Sequence, residues 1–448
     1  MITRHFLTIP ADTGGPERRV HYRKCGSGPV LLLVHQSPRS SKEYEPLMRA
    51  WGAHFTCIAP DSPGFGQSDP LSGEPDIDSF AAATLRFLDV LGVRHCHAYG
   101  FHSGSIILVH AMKLQPRRFS ALTIGGYPAW TKAEMALLGE RYTVPLRPSA
   151  YGEHLAWLWN RVLEQSWFFP WFDVRDETRM SIAHADLDAV QSIVMELLDA
   201  GDAYRAGYRA ALSAPAWIPA RGDDMPPVLI GAYDGDPLQD HLDRLPTLPP
   251  HWRTGKAPTP AAHYADCLAF LRAHRGPAAA SELAEDKDEG FIAVGEGLIH
   301  WKGTPGGARM TLHAPAGELA DPGPDTVAID VPGHGLSDPA VALPEVLHGV
   351  TAALGAGRLA IPPLPAGDPA LLYPDLSPQR FGEHLQRAWG ISRAEALFAP
   401  WYAASAAQAI AIDAGAITPE AIAVRTRARL RAGTAARQWH EALVKMQQ

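Results

Sequence analysis

Side chains able to do chemistry gather in one short stretch, Gly100-Phe101-His102-Ser103-Gly104. There an imidazole and a hydroxyl stand side by side between two glycines. An imidazole titrates near neutral pH. His102 can therefore attack an acyl carbon, take a proton as a general base, or stay inert in a protein that only binds. Ser103 is the alternative nucleophile. His95 and His97 flank Cys96 on the segment leading into this stretch. Alternate strand residues share a face, but no third ligand lies nearby, so the pair reads as strand packing and no metal is expected. Cys25, Cys57, Cys96 and Cys267 form no CxxC pair, which argues against a disulfide scaffold or structural zinc site. No glycine-rich phosphate or dinucleotide loop occurs, and no cofactor is expected.

The elements that must hold these groups alternate. VHYRK from Val20 reads as a strand, Gly26 and Gly28 as a turn, and PVLLLVH as a strand buried on both faces. A helical stretch follows from Ser41 to Trp51, then the strand FTCIAP, a helix near Ser79 to Leu91, the strand HCHAYG and a helix after Gly104. This alternation predicts right-handed crossovers and an α/β fold with a doubly wound, mostly parallel sheet. Between about residues 142 and 215 the chain turns helical and aromatic, with Trp157, Trp159, Trp167, Phe168, Phe169, Trp171 and Phe172. Strand character returns in PPVLIGAYDGD, and a helix from about Tyr264 to Arg272 closes this half. The small and charged residues 276–290 read as a linker.

The blocks LLLVHQSPRSS, APDSPGFGQSD and AYGFHSGSIILVHA together resemble the α/β-hydrolase superfamily, in its capped, esterase-like form, over about Val20 to Arg272. The resemblance implies an enzyme with a helical cap (about 142–215) over the sheet. It implies that His35-Gln36-Ser37-Pro38 shapes the oxyanion loop, with Gln36 where glycine is usual. It also implies that Gly100 to Gly104 is the nucleophile elbow, with His102 in the nucleophile's place; Pro116, 14 residues on, fits that register. The backbone N–H groups of Ser37 and Ser103 then become oxyanion donors. The triad acid is implied just after VLIG. Asp234 has the better distance from the strand and Asp236, before Pro237, the better local match; Asp234 is taken. His263 is expected as the histidine that faces His102, with a helix cap as its alternative. His35, Gln36, Arg39 and Phe101, together with Trp157, Trp167 and Phe168 of the cap, are expected to contact an apolar substrate. Arg39 could hold a carboxylate or simply lie at the surface. The implied reaction is hydrolysis of an ester, or of a C–C bond beside a carbonyl, in a moderately apolar or aromatic small molecule. A lyase or cofactor-free oxygenase using a His–Asp dyad, and a non-catalytic binder, are the alternatives.

The remainder of the 448 residues sets limits and reveals a repeat. Lys plus Arg number 40 against 48 Asp plus Glu, a net charge of −8 with no basic run, which argues against nucleic acid as a partner. MITRHFLTIP holds no apolar core of signal-peptide length, and no apolar run is long enough to span a bilayer. A cytoplasmic protein with no membrane partner is expected, and a homodimer is left open. The motif of Asp61 to Pro70, D-x-P-G-x-G-x-S-D-P, recurs 269 residues later at Asp330 to Pro339. YGEHLAWLW from Tyr151 recurs 230 residues later as FGEHLQRAW, so the second copy has lost 39 residues between the two blocks. The expected organisation is a hydrolase-like domain over 1–275, a linker over 276–290 and a degenerate repeat over 291–448. The repeat would hold a partial core (291–370) and cap-like helices (371–448), and no catalytic elements.

Overall fold

In the computed structural model of the chain, residues 1–12, 15–180, 186–276, 283–339 and 341–447 are described. They form two compact units. The first comprises Met1–Leu146, Val162–Ala185 and Ser192–Asp286; the second comprises Arg147–Arg161, Asp186–Gln191 and Lys287–Gln448.

The first unit is built on strands β1 (Thr3–Ile9), β2 (Arg18–Cys25), β3 (Val30–Val34), β4 (Thr56–Pro60), β5 (Cys96–Phe101), β6 (Phe119–Gly125), β7 (Val228–Tyr233) and β8 (Trp252–Ala257). They make one eight-stranded sheet in the order β1-β2-β4-β3-β5-β6-β7-β8. β2 runs antiparallel to β1 and β4, and the pairs from β4–β3 to β7–β8 are parallel. Its helices include α1 (Glu45–Trp51), α2 (Ile77–Leu91), α3 (Ser103–Leu114) and α4 (Lys132–Arg141). The cap adds α5 (Glu153–Gln165), α6 (Leu187–Ala200) and α7 (Tyr204–Ser213), and α8 (Pro260–Ala273) follows the last strand. VLLLV is buried at every position because its alternate residues feed two cores. Leu32 and Val34 join Phe80, Leu88, Leu108 and Met112 on one face. Leu31 and Leu33 join Trp51, Tyr99, Phe270 and Leu271 on the other.

The cap aromatics pack mainly on one another. Tyr142 has the rings of Phe169, Trp171, Phe172 and Tyr208 around it, at centroid distances of 5.4–6.3 Å. The N-terminal part of α5 groups with the second unit, a boundary that the sequence did not signal. The end of the expected linker is also ordered differently. His5 Nδ1 lies 2.8 Å from Glu285, and Asp286 accepts from the Thr8 N–H and hydroxyl. Residues 277–282 of that segment lie outside the described residues.

The second unit carries β9 (Glu289–Val294), β10 (Gly297–Gly303), β11 (Arg309–Leu312), β12 (Thr326–Ile329) and β13 (Arg358–Ala360), with α9 (Leu343–Leu354) between the last two. The sheet order is β13-β11-β12-β10-β9. β9–β10 and β10–β12 are antiparallel; β11–β12 and β11–β13 are parallel. This reproduces β1–β5 strand for strand. Where the elbow would follow β13 the chain reads Ile361-Pro362-Pro363-Leu364-Pro365; its prolines have no N–H to give a further ladder, and the glycines that flank His102 have no counterpart there. Helices α10 (Pro369–Leu372), α11 (Glu383–Ala394), α12 (Pro419–Ala432) and α13 (Ala435–Gln447) complete the unit. Here the recurring GEHL blocks meet reciprocally. Trp159 Nε1 donates to the Arg380 carbonyl at 2.9 Å. The His384 ring stands edge-on to Trp159 at 4.9 Å, as His154 does to Trp389 at 5.0 Å.

Candidate active site

β5 ends in a sharp turn. His102 adopts φ 47°, ψ −115°, a conformation that an L side chain occupies only under constraint. Its N–H donates to the Gly125 carbonyl at 2.9 Å, and its carbonyl opens α3 by accepting from the Ser105 and Ile106 N–H groups. The flanking glycine is required by close approach, since a Cβ on Gly104 would collide with the Val34 and His35 carbonyls of the neighbouring strand end. The sequence thus places an imidazole on a strained strand-to-helix turn at the C-terminal edge of a parallel sheet.

The partner of that imidazole is Asp236. His102 Nε2 lies 3.0 Å from Asp236 Oδ1; the imidazole is 24% exposed and the carboxylate 0%. Oδ1 also accepts from the Leu238 N–H at 2.9 Å, while Oδ2 is buried with no hydrogen-bond partner among the described residues. Burial alone pulls the Asp236 carboxyl upward. The His102 imidazole and the Leu238 N–H outweigh it and hold the group below the ordinary carboxylate range. Gly126, at φ 55°, makes room for the pair: a Cβ there would run into His102 Cδ2 and crowd Asp236 Oδ2. Sequence reasoning missed Gly126, although Gly125-Gly126 at the end of a parallel strand next to the elbow strand was a visible signal.

Asp234, the residue preferred from the sequence, is exposed and accepts from the Gln239 side-chain amide at 2.8 Å. The turn leaving β7, closed by the Asp236 N–H donating to the Tyr233 carbonyl, buries the second aspartate and leaves the first in solvent. His263 is buried, but against the sheet. Its Nε2 is 3.4 Å from the Tyr99 hydroxyl and 3.7 Å from Cys267 Sγ. Burial lowers its pKa to about 4. Among the described residues it makes no hydrogen bond to Asp234, and Phe101 packs against both imidazoles, 4.3 Å from His102 and 6.2 Å from His263 between ring centroids. The structure therefore brings His102 and Asp236 together as a dyad and leaves His263 in the underlying core.

The loop after β3 is internally tied. His35 is buried; its Nε2 accepts from the Ser62 N–H at 2.8 Å. Gln36 donates through its N–H and its side-chain amide to Glu43, at 2.9 and 3.1 Å. Arg39 Nε donates to Glu196 of α6 at 2.5 Å, so its charge is already answered and it is not an open carboxylate site. The Ser37 N–H, expected as an oxyanion donor, donates instead to Ser103 Oγ at 2.6 Å. The Ser103 N–H stands in the first turn of α3, where helix geometry provides no intrahelical acceptor. Of the cap residues, Trp167 is half-buried and Phe168 buried beneath the Arg179 guanidinium, whereas Trp157 falls within the second unit. Among the described residues no helix is long and apolar enough to cross a membrane, and no cluster of His, Cys, Asp and Glu could hold a metal ion.

A family model described as the alpha/beta hydrolase fold matches residues 29–264. The chain belongs to the alpha/beta-hydrolase fold family. It is similar to haloalkane dehalogenase 2 of Mycobacterium tuberculosis (strain ATCC 25618 / H37Rv), 32% identical over 120 residues, which is 27% of this chain and 42% of that one. It is similar to a haloalkane dehalogenase of Mesorhizobium japonicum, 28% identical over 286 residues, covering 60% of this chain and 78% of that one. The solved structure of a hydrolase from Pseudomonas aeruginosa PA01 aligns over 60% of this chain and 98% of its own, at 20% identity and a TM-score of 0.46. The chain thus spans about two fifths of the mycobacterial relative. These matches leave about two fifths of the chain uncovered, and the hydrolase-fold sheet is followed by a second sheet.

Proposed function

We propose that the chain is a hydrolase of an ester, or of another activated carbonyl compound, of small and moderately apolar character, with His102 and Asp236 as its catalytic pair. The observation that carries this reading is an imidazole on the strained elbow, bonded through Nε2 to a carboxylate shut off from solvent. Family membership and a relative named as a haloalkane dehalogenase support the hydrolytic class.

With the Nε2 hydrogen directed at Asp236, Nδ1 is the basic nitrogen of His102. Nδ1 adjoins Cγ, the ring carbon joined to Cβ, so the residue's own backbone hinders direct attack on a carbonyl carbon, while the smaller water molecule is less hindered. His102 therefore acts as a general base. Nδ1 takes a proton from water, the water oxygen bonds to the carbonyl carbon, and the carbonyl π pair moves to oxygen. The developing oxyanion is met by the Ser103 N–H at the positive end of α3. Collapse breaks the bond to the leaving alkoxide, which recovers the proton from Nδ1, so that acid and alcohol leave and His102 is restored. Asp236 stays ionised throughout and stabilises the transient imidazolium.

A panel of activated aryl esters presented to the full chain tests this. His102→Ala and Asp236→Asn should each lower kcat by at least about 10²-fold, the low end for a positioned base. Intact-mass measurement during turnover should find no acyl adduct on His102. Ester hydrolysis that survives His102→Ala, or its absence across the panel, overturns the reading.

A further inference from the structure

Resting on that hydrolytic reading, we propose that Ser103 is a specificity-determining residue: its side chain occupies the second oxyanion donor and restricts the enzyme to carbonyl groups activated enough to react with one. The Ser37 N–H donates to Ser103 Oγ at 2.6 Å, and Ser103 Oγ donates in turn to Ser37 Oγ at 3.1 Å. Ser103 is itself buried, so its hydroxyl is not exchanged freely for water. An N–H carries a single hydrogen, so a substrate oxygen that would bond to Ser37 has to displace Ser103 Oγ first. The Ser103 N–H has no such occupant among the described residues. The site therefore offers one donor ready and one internally satisfied.

A tetrahedral intermediate with a good leaving group, or with an electron-withdrawing substituent beside the carbonyl, holds less charge on oxygen and needs less help. Aryl and enol esters and carbonyl groups flanked by withdrawing groups are the class that fits; simple alkyl esters, which build up more charge, are the class disfavoured. The loop that carries Ser37 does not depend on Ser103 for its position. Gln36 holds Glu43 through two hydrogen bonds, and the N–H and hydroxyl of Ser40 reach Glu196 at 3.1 and 2.6 Å. Removing Ser103 Oγ should thus vacate the donor without releasing the loop.

The test uses the full chain. Ser103→Ala should raise kcat/KM for an alkyl ester about 10-fold or more, toward the roughly 10²-fold that one oxyanion donor contributes, and raise it less for the matched aryl ester. Ser103→Thr keeps Oγ and should show no such selective gain for the alkyl over the aryl ester. An aryl trifluoromethyl ketone, which binds as its tetrahedral hydrate, should bind Ser103→Ala about 10-fold more tightly, with the affinity of the non-hydrating methyl ketone unchanged. Ser103→Gly also lacks Oγ and serves if the alanine variant misfolds. Equal or weaker trifluoromethyl ketone binding by a folded variant overturns the inference. If no ester is turned over and yet the variant gains ketone affinity, the hydrolytic reading fails and the inference about Ser103 stands. If esters are turned over and ketone affinity does not move, the inference alone fails.

Discussion

The two half-sheets share a frame and part company where chemistry would begin. In β1–β5 the buried His21 lies 2.8 Å from Asp61, whose oxygens also accept from the Ser41 and Gln67 N–H groups. In β9–β13 the buried His300 lies 2.8 Å from Asp330, which accepts from the Leu336 N–H. His35 holds the Ser62 N–H as His313 holds that of Val331. These His–Asp pairs persist in the copy without an elbow, so they are devices that pin the turn after the fourth strand onto the second. The difference lies in what surrounds them. Glu289 of β9 sits 3.1 Å from His300 Nε2, and with Asp330 it raises the His300 pKa against the effect of burial. His21 pairs with Asp61, with Arg23 and Arg4 acting against its charge, and burial takes its pKa to about 4.

This comparison can be broken first at the elbow. His102→Ala should reduce ester turnover by about 10²- to 10⁴-fold, whereas His313→Ala in the second copy should leave it within about 2-fold, in steady-state assays of the full chain. Loss of turnover from the His313 variant would show that the second copy is not silent. The next largest effect is on stability. Asp61→Ala leaves the buried His21 imidazole and the Ser41 and Gln67 N–H groups without their acceptor, and Asp330→Ala leaves His300 with Glu289 and frees the Leu336 N–H, so urea unfolding should register at least about 1–3 kcal/mol for each. A loss confined to Asp61 would separate the two pairs.

Gly126→Ala sharpens the account of the dyad. Its Cβ would collide with His102, and φ is positive there, so turnover should fall at least about 10-fold while stability drops by more than about 1 kcal/mol. Acidification should split the copies. A histidine whose pKa falls on folding takes up protons more readily when unfolded, so the contribution of His21 is full above about pH 6.5 and shrinks as pH falls toward 4. His300 is shifted the other way; its contribution is full below the unfolded value and is lost as pH rises through the folded one. Hydrogen exchange from pH 7.5 down to 5 should therefore weaken protection of β2 relative to β10. Protection that falls equally in both strands would refute the assignment. The smallest effect expected is that of Asp234→Asn, within about 2-fold in kcat, since an exposed group away from the dyad contributes little; a loss equal to that of Asp236→Asn would restore Asp234 as the acid.

Much of this was legible in the chain itself. Five apolar residues in VLLLV can only be buried on both faces, so the parallel sheet follows from local pattern and turn chemistry. The repeat and its missing 39 residues are visible by alignment of the chain with itself, and the second sheet ends at the strand that would have carried an elbow. His102 at the elbow is likewise a statement about consecutive residues, because glycine spacing and the strand-to-helix change are local.

Partner choice was not local. Asp234 and Asp236 stand two residues apart, and only the turn closed on Tyr233 and the bond from the Leu238 N–H decide which carboxylate faces the sheet. Thr259 caps α8 and puts His263 in its first turn, which aims that imidazole at Tyr99 and away from the elbow. Arg39 was spent on Glu196, 157 residues away, and the Ser37 N–H on a hydroxyl 66 residues on. Sequence determines which groups are available and which backbone turns they ride on. Which of them meet depends on hydrogen bonds between distant segments, and those directions are set only when the tertiary fold closes.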